Sequence, residues 1–173
     1  MTEASRGGGA AAASELAGRG VAVVLAARSS GDSDRVAREI VEAGGKAVAV
    51  TCDVSRYEDV VAAVETCRRE LGRLDIPVNN AGVIDPIARL GDSDPKGWGQ
   101  AVDINLMGVY YGLRAVLPVM EAQVSGTISH IISRAATGPL VARSHSCVPT
   151  LAILSLTQCH QPPPRPHRPA VLL

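Results

Sequence analysis

The chain has 173 residues, which suits one domain of ordinary size and is too short for two. Its 17 basic residues balance its 17 acidic residues, so no overall charge draws it to nucleic acid or to an anionic membrane. An apolar share of 46% with 20% charged residues excludes a disordered chain expanded by charge. With one Trp, three Tyr and no Phe, the core has to be built from aliphatic side chains.

The four cysteines, Cys52, Cys67, Cys147 and Cys159, form no CxxC pair. We therefore expect free thiols and a cytoplasmic location rather than a disulfide framework. No metal site is expected, because the histidines and cysteines lack the spacing of zinc ligands. The sequence holds neither a basic-then-apolar leader nor an apolar run of about 18 residues, so neither secretion nor membrane insertion is expected.

Valine-rich apolar runs alternate with segments in which apolar residues recur at helical spacing. The runs predict strands that are buried on both faces, and the spaced segments, which end at glycine, predict helices. In chain order, the first half predicts a helix over 10–19, a strand over 21–27, a helix from Asp32 or Ser33 to Ala43, a strand over 46–52, a helix from the capping-box pattern Ser55-x-x-Glu58 to Gly72, and a strand over 75–78. The second half predicts a helix over 95–117 with Asp94 as its N-cap and Pro95 in its first turn, a strand over 127–133, and a helix over 150–157.

A change of composition divides the chain near its end. Residues 159–173 contain five prolines and no periodic apolar pattern, which predicts a disordered, Pro-rich tail. Residues 1–158 make up the predicted folded domain. Since strands and helices alternate there with short connections, we expect an α/β fold with a parallel sheet.

Polar residues and glycines follow three of the predicted strands or precede the first helix. The run 7–9 is Gly-Gly-Gly, Arg28 and Asp53 each follow a strand, and 79–82 reads Asn-Asn-Ala-Gly. Ligands of open α/β sheets bind beyond the carboxyl ends of the strands, and glycine turns at helix N-termini bring backbone N–H groups to phosphates. A guanidinium at a strand end suits a ribose 2′-phosphate. This edge therefore predicts a nucleotide site.

The order of the segments TxASRGxG, AAR, CDV, LDIxVNNAG, DINLxGV and IxS resembles the short-chain dehydrogenase/reductase family, from residue 2 to about 157. The resemblance implies a Rossmann-type, doubly wound parallel sheet and a nicotinamide cofactor. It also implies hydride transfer between a small-molecule carbonyl and an alcohol. In the family a strand precedes the first of these segments and further units follow the last helix, so we expect an incomplete sheet that lacks the first strand and the C-terminal units.

The resemblance also implies roles for individual residues. Cofactor contacts are implied at Ser5, Arg6, Gly7, Gly9, Arg28, Asp53, Val54, Asn80 and Gly82. Arg28 would select NADP over NAD, and catalytic roles are implied at Asn105 and Ser133. Each of these three has a structural alternative: a solvated strand end for Arg28, a polar contact within a helix for Asn105, and an ordinary strand-end hydroxyl for Ser133.

Several positions depart from the family's pattern. Glu3 stands where the family has glycine, and its carboxylate competes with the pyrophosphate for the same turn. Pro77 interrupts the predicted strand 75–78. Ser146 and Thr150 stand where the family has the tyrosine and lysine of a YxxxK pair, and neither donates a proton as a tyrosine beside a cation does. We therefore expect weak NADP binding and impaired or absent oxidoreductase activity.

Two alternatives to an enzyme remain at this point. The chain could be a non-catalytic module that binds a nucleotide or a protein partner, or an unstable product of a gene fragment. By resemblance, the helix 95–117 is a candidate for contacts in a homo-oligomer. Neither nucleic acid nor a membrane is expected as a partner.

Overall fold

The computed structural model describes residues 1–133, 142–160 and 170–172. Helices and strands alternate along these residues, as the sequence predicts. In chain order they are α1 (Gly7–Gly18), β1 (Val23–Ala27), α2 (Ser30–Glu42), β2 (Ala47–Thr51), α3 (Tyr57–Leu71), β3 (Val78–Asn79), a 3-10 turn (Leu90–Asp92), α4 (Pro95–Val102), a π-helical segment (Asp103–Met107), α5 (Gly108–Gln123), β4 (Thr127–His130), α6 (Ser144–His160) and β5 (Ala170–Leu172).

The described strands pair only in parallel, which confirms the α/β class. β1 and β2 form one sheet, in which Val23 lies opposite Ala47. A second sheet has the order β3-β4-β5, with Val78 opposite Ser129. Because parallel strands run in the same direction, the carboxyl ends of β1, β2 and β3 lie on one side of the molecule.

The first residues of the chain join the two sheets. Thr2 forms a parallel bridge with Ala26, and the Ala26 N–H donates to the Met1 carbonyl at 3.0 Å. On the other side, the Thr2 N–H donates to the Val78 carbonyl at 3.1 Å. A cavity of about 480 Å³ occupies the rest of the gap between β1 and residues 73–79. The sheet is therefore incomplete at its centre, and the N-terminal residues close one end of the gap.

The core is aliphatic, as the composition requires. One cluster packs α1 and α2 on β1 around Leu25, which is fully buried. A second cluster packs α5 on β4 around Met120 and Ile128, and a third, smaller one surrounds Val60 of α3. Full burial of a Leu, Ile or Met side chain contributes about 1.5–3 kcal/mol, so these clusters hold the helices on the sheets.

The predicted capping box of α3 is wrong. The Ser55 hydroxyl donates to Asp53 Oδ1 at 2.7 Å instead of capping the helix, and α3 begins at Tyr57. Serine and aspartate readily form such local hydrogen bonds, and these compete with capping. By contrast, Asp94 caps α4 as predicted, because its carboxylate accepts from the Gly97 N–H at 2.7 Å.

The predicted helix 95–117 is in fact three consecutive segments, α4, the π-helical segment and α5. Pro118 lies inside α5, and the helix continues beyond it to Gln123. An interior proline removes one hydrogen bond and crowds the carbonyl four residues earlier, but the helix continues past Pro118 for five more residues.

Pro77 shortens β3 from the predicted 75–78. The carbonyls of Asp75 and Pro77 accept from the N–H groups of Thr127 and Ser129, at 2.9 and 3.0 Å. Proline has no N–H for the return bond of the ladder, so regular pairing begins only at the following residue.

α6 is longer at both ends than the predicted helix 150–157. It enters the predicted tail, 159–173, and β5 lies within that tail and pairs with β4. The remaining tail residues, 161–169 and 173, lie outside the described residues. In the described part of the chain, no helix has the length and apolarity needed to cross a membrane.

Candidate functional site

A cavity of about 150 Å³ opens beyond the carboxyl ends of β1, β2 and β3. We call its lining the cofactor edge, after the role that the sequence predicts for it. Its walls come from the turn before α1 and from the residues that follow each of the three strands. Six of the nine predicted cofactor residues line it: Ser5, Arg6, Arg28, Asp53, Val54 and Gly82. Pockets that enclose a ligand usually measure about 300–1,000 Å³, so this cavity has room for part of a dinucleotide.

The other three predicted residues, Gly7, Gly9 and Asn80, shape the turns behind the cavity. Gly7 has a φ of 56°, a left-handed conformation that glycine adopts without strain. A Cβ at Gly9 would overlap the carbonyl oxygen of Glu3, so only glycine lets α1 approach the turn this closely. The Asn80 side-chain amide donates to the Thr2 carbonyl at 3.0 Å.

Thr2 fastens the turn before α1 to the turn after β3. Its hydroxyl oxygen accepts from the backbone N–H groups of Asn80 and Ala81, both at 2.9 Å. Sequence reasoning missed this role, although the threonine opens the segment that carries the family resemblance. The two turns are therefore held as one unit.

The end of β1 brings opposite charges to the cavity. Arg28 is exposed there, and the Ser29 hydroxyl donates to Asp32 Oδ2 at 2.8 Å in the first turn of α2. Eight lining residues were not among the predicted cofactor residues: Glu3, Ala27, Ser29, Asp32, Cys52, Ala81, Val83 and Ile104. Five of the eight follow a strand end within a few residues, and that position is the signal that could have found them.

Asp53 is an ionised carboxylate at neutral pH. Burial raises its pKa, but hydrogen bonds from the Ser55 hydroxyl and N–H and the positive charges of Arg28 and Arg56 outweigh burial and lower it. The two Ser55 bonds, at 2.7 and 3.0 Å, both use Oδ1. The side chain is thus fixed at the end of β2 beside the Arg28 guanidinium.

Asn105 lies in the π-helical segment and clamps the backbone that follows Gly82. Its Oδ1 accepts from the Val83 N–H at 2.8 Å, and its Nδ2 donates to the Val83 carbonyl at 2.9 Å. π-helical turns occur often at functional sites. Ser133 is exposed, three residues beyond the end of β4, and it is not among the residues that line the cavity.

The positions of the family's tyrosine–lysine pair lie buried in α6. Ser146 is 8% exposed and Thr150 is 5% exposed. The Thr150 hydroxyl donates to the Ser146 carbonyl one turn earlier, at 2.7 Å. Nearby, His145 Nε2 lies 2.7 Å from the Ile84 carbonyl oxygen and donates to it in the Nε2–H tautomer, which holds α6 against the loop after β3. We call this region the α6 corner.

Asn79 of β3 and His130 of β4 form a buried polar pair that sequence reasoning missed. The Asn79 side-chain amide donates to His130 Nδ1 at 3.1 Å, which places the ring proton on Nε2. This Nε2 has no hydrogen-bond partner within the described residues, and burial lowers the pKa of His130. A Cβ at Gly112 would overlap the Asn79 amide oxygen, so α5 packs directly on the pair.

Residues 1–133, 142–160 and 170–172 contain no group of three or more His, Cys, Asp or Glu side chains that could hold a metal ion. All four cysteines are free thiols.

The sequence of the chain is similar to a known protein family and to known dehydrogenases and reductases. The family model described as short chain dehydrogenase matches residues 1–163. A cis-4-hydroxycyclohexanecarboxylate dehydrogenase of Sinomonas cyclohexanicum is 38% identical over 133 residues, which is 77% of this chain and 53% of that protein. A 3-oxoacyl-[acyl-carrier-protein] reductase of Synechocystis sp. is 38% identical over 134 residues, with coverage of 77% and 54%. The chain thus spans about half the length of these curated relatives.

Solved structures agree with the sequence comparison. A metagenomic short-chain oxidoreductase in complex with NADP superposes with a TM-score of 0.91 at 35% identity, covering 99% of this chain and 78% of that one. An NAD⁺-bound xylitol dehydrogenase superposes with a TM-score of 0.87 at 28% identity, covering 91% and 61%. These matches confirm the incomplete Rossmann-type sheet, and the chain belongs to the short-chain dehydrogenase family.

Proposed function

We propose that the chain binds NADP at the cofactor edge and that it is an impaired or inactive oxidoreductase of the carbonyl/alcohol type. The observation that carries the binding proposal is that two arginines, Arg6 and Arg28, line one cavity at the N-terminus of α1 and the end of β1. Bound NADPH would supply the hydride to a carbonyl, and bound NADP⁺ would accept it from an alcohol.

The residues of the cofactor edge fit the phosphate and adenine half of the dinucleotide. Ser5 and Arg6 lie in the turn before α1, where backbone N–H groups and the helix dipole favour an anion. Gly7 and Gly9 let that turn approach closely. Arg28 would bind the 2′-phosphate, and Asp53 and Val54 would lie on the adenine side. Asn80 and Gly82 would form the turn beside the cofactor.

The preference for NADP over NAD rests on the charge of Arg28. Family structures similar to this chain hold either NADP or NAD⁺, so the fold alone does not choose between them. A cation at the end of β1 favours the dinucleotide with the additional phosphate, because a guanidinium binds phosphate through two parallel hydrogen bonds.

The α6 corner supports impaired catalysis. Proton transfer to or from the reacting oxygen needs a group whose pKa lies near the working pH. Ser146 and Thr150 provide only hydroxyl groups, and the Thr150 hydroxyl is donated to a backbone carbonyl. Asn105 and Ser133 are the remaining proposed catalytic residues, and without a proton donor they would orient a substrate rather than turn it over.

Isothermal titration with NADPH and NADH tests the binding proposal. We expect NADPH to bind more tightly than NADH. Replacing Arg28 with Ala should weaken NADPH binding about 10–100-fold and leave NADH binding unchanged, because a charge-assisted hydrogen bond contributes roughly 1.5–3 kcal/mol. Arg35→Ala is the matched control, since Arg35 is an exposed arginine of α2 that pairs with Glu39. Equal effects of the two substitutions would remove the NADP preference from the proposal.

Assays of a panel of carbonyl compounds with NADPH test the catalytic part. We expect oxidation of NADPH no faster than in a protein-free blank. Turnover that Ser133→Ala abolishes would show that the family's chemistry operates here, and the impaired part of the proposal would then be wrong.

A homo-oligomer through the 95–117 region is also part of the proposal. All three tyrosines of the chain lie together on α3 and α5, with ring centroids 5.5 Å apart for Tyr57 and Tyr111 and 5.8 Å apart for Tyr110 and Tyr111. Tyr110 is 43% exposed, and tyrosine is enriched in protein interfaces. Sedimentation of the protein and of Tyr110→Ser tests the proposal, which predicts dissociation of the variant.

The cytoplasmic location remains a prediction from the free thiols.

A further inference from the structure

Glu3 has an unusual backbone conformation in the turn that leads into α1. Its φ is 50°, in the left-handed region that residues with a Cβ rarely adopt. Such a conformation is maintained only where surrounding contacts determine it. The Glu3 carbonyl lies so close to Gly9 that a Cβ there would overlap it, so the backbone is held from one side by α1.

The Glu3 carboxylate holds the turn from the other side. Oε2 accepts from the Gly82 N–H at 3.0 Å, across the cofactor edge. Oε1 lies 3.9 Å from the Arg6 guanidinium. The side chain is 33% exposed and lines the same cavity as these two partners, so it is within reach of a bound ligand.

The two groups that the carboxylate engages are those an incoming phosphate would use. Backbone N–H groups in turns and at helix N-termini bind anions, and an arginine beside them adds a positive charge. A carboxylate is itself an anion, so it satisfies these groups in the absence of a ligand. A phosphate that reaches the turn has to displace it or lie against its negative charge.

We propose that Glu3 is an intramolecular anion that competes with the phosphate groups of the dinucleotide for the Gly82 N–H and Arg6. It thereby sets the cofactor affinity of this chain. This inference rests on the proposed NADP site. It adds that low affinity comes from one displaceable side chain and not from the loss of the site.

The experiment compares the whole protein with Glu3→Gln and Glu3→Gly, using three probes in isothermal titration: NADPH, ADP and adenosine. Glutamine keeps the shape of the side chain and removes its charge, whereas glycine also removes the left-handed strain. We expect both variants to bind NADPH and ADP about 10–1,000-fold more tightly, a range whose upper end corresponds to two unit charges about 4 Å apart at an effective dielectric near 20. Adenosine carries no phosphate, so its affinity should not change.

Glu15→Gln is the matched control, because Glu15 belongs to α1, is exposed and pairs with Arg19. It removes the same charge from the protein and should leave all three affinities unchanged. A gain of the same size in Glu15→Gln would assign the effect to net charge and overturn the inference, as would equal gains for adenosine and ADP. Equal NADPH affinity in the wild type and both Glu3 variants would overturn the inference alone. Absence of binding by every protein would overturn the proposed NADP site together with it.

Discussion

The cofactor edge and the α6 corner differ in what they offer to a ligand. At the cofactor edge, charged groups reach an open cavity, and the Arg6 side chain is 76% exposed. At the α6 corner, the residues at the positions of the family's proton-donating pair are short, buried and hydrogen-bonded within their own helix.

The contrast places the two proposed roles on separate elements of this fold. Nucleotide binding would use the strand ends and the turn before α1, whereas proton transfer would depend on one helix in the second half of the chain. One of the two can therefore be lost while the geometry of the other persists.

Replacing Thr150 with Lys should destabilise the protein by about 3–5 kcal/mol, because an ammonium buried without a partner is strongly unfavourable. The position is 5% exposed and lies in the middle of α6. Urea unfolding followed by circular dichroism measures the change. Restoring the family's lysine in this way should therefore give an unstable protein and not an active one.

The neighbouring Leu151 provides the control for this prediction. It belongs to the same helix but is 54% exposed, so Leu151→Lys should change the free energy of unfolding by less than about 0.5 kcal/mol. If the two lysine variants prove equally stable, the α6 corner is open to solvent and the contrast with the cofactor edge fails.

At the cofactor edge, Thr2→Val should cost about 1–3 kcal/mol, because the N–H groups of Asn80 and Ala81 both lose their acceptor. Valine has nearly the same shape as threonine, so the loss reports on hydrogen bonds rather than on packing. Urea unfolding measures it, with Thr51→Val, at an exposed end of β2, as the control. Equal stability of the two variants would mean that the two turns are not joined by Thr2.

Local signals made the fold and much of the cofactor edge predictable. Valine runs marked β1 and β2, glycines marked helix ends, and polar residues after strands marked the cavity, because in parallel sheets these positions meet at one edge. The capping box failed although it is a local pattern, because Ser55 had a nearer partner in Asp53.

Contacts between distant parts of the chain were not predictable in this way. Thr2 contacts Asn80 across 78 positions, and Asn79 contacts His130 across 51. No periodicity or spacing relates such residues, since the chain path alone brings them together. The carboxylate of Glu3 was recognised as an obstacle from the sequence, but its partner Gly82 became visible only in the fold.

His130 should make stability depend on pH without involving the cofactor edge. Burial lowers its pKa in the folded state, so below about pH 6.5 the unfolded chain binds a proton before the folded chain does. The contribution of the neutral His130 to the free energy of unfolding is thus fully present above about pH 6.5. It is lost as the pH drops below that value, by at most about 1.4 kcal/mol per pH unit. Unfolding free energies at pH 8.0 and 5.5 measure the difference, which should become smaller in His130→Leu. The remaining part comes from the buried N-terminal amine of Met1, because burial lowers its pKa as well.

The carboxylates act in a separate range of pH. Since the pKa of Asp53 is lowered, its contribution is present above about pH 4 and is lost only as the pH falls further. An unchanged difference between pH 8.0 and 5.5 in His130→Leu would assign the dependence to another group and would show that the buried pair does not titrate.

The smallest expected effect is a difference in thiol reactivity between Cys52 of the cofactor edge and Cys159 of α6, and it is measured without any substitution. Cys52 lines the cofactor edge but is only 2% exposed, and burial, followed by the negative charges of Asp59 and Asp53, raises its pKa to about 11. At pH 8 only about one such thiol in a thousand is ionised, and the thiolate is the reactive form. Cys159 of α6 is exposed. Iodoacetamide followed by peptide mass mapping should therefore label Cys159 in the native protein and Cys52 only after unfolding. Labelling of native Cys52 at the rate of Cys159 would mean that the cavity at the cofactor edge opens to solvent. If NADPH binds in this cavity, it should then protect Cys52 from labelling.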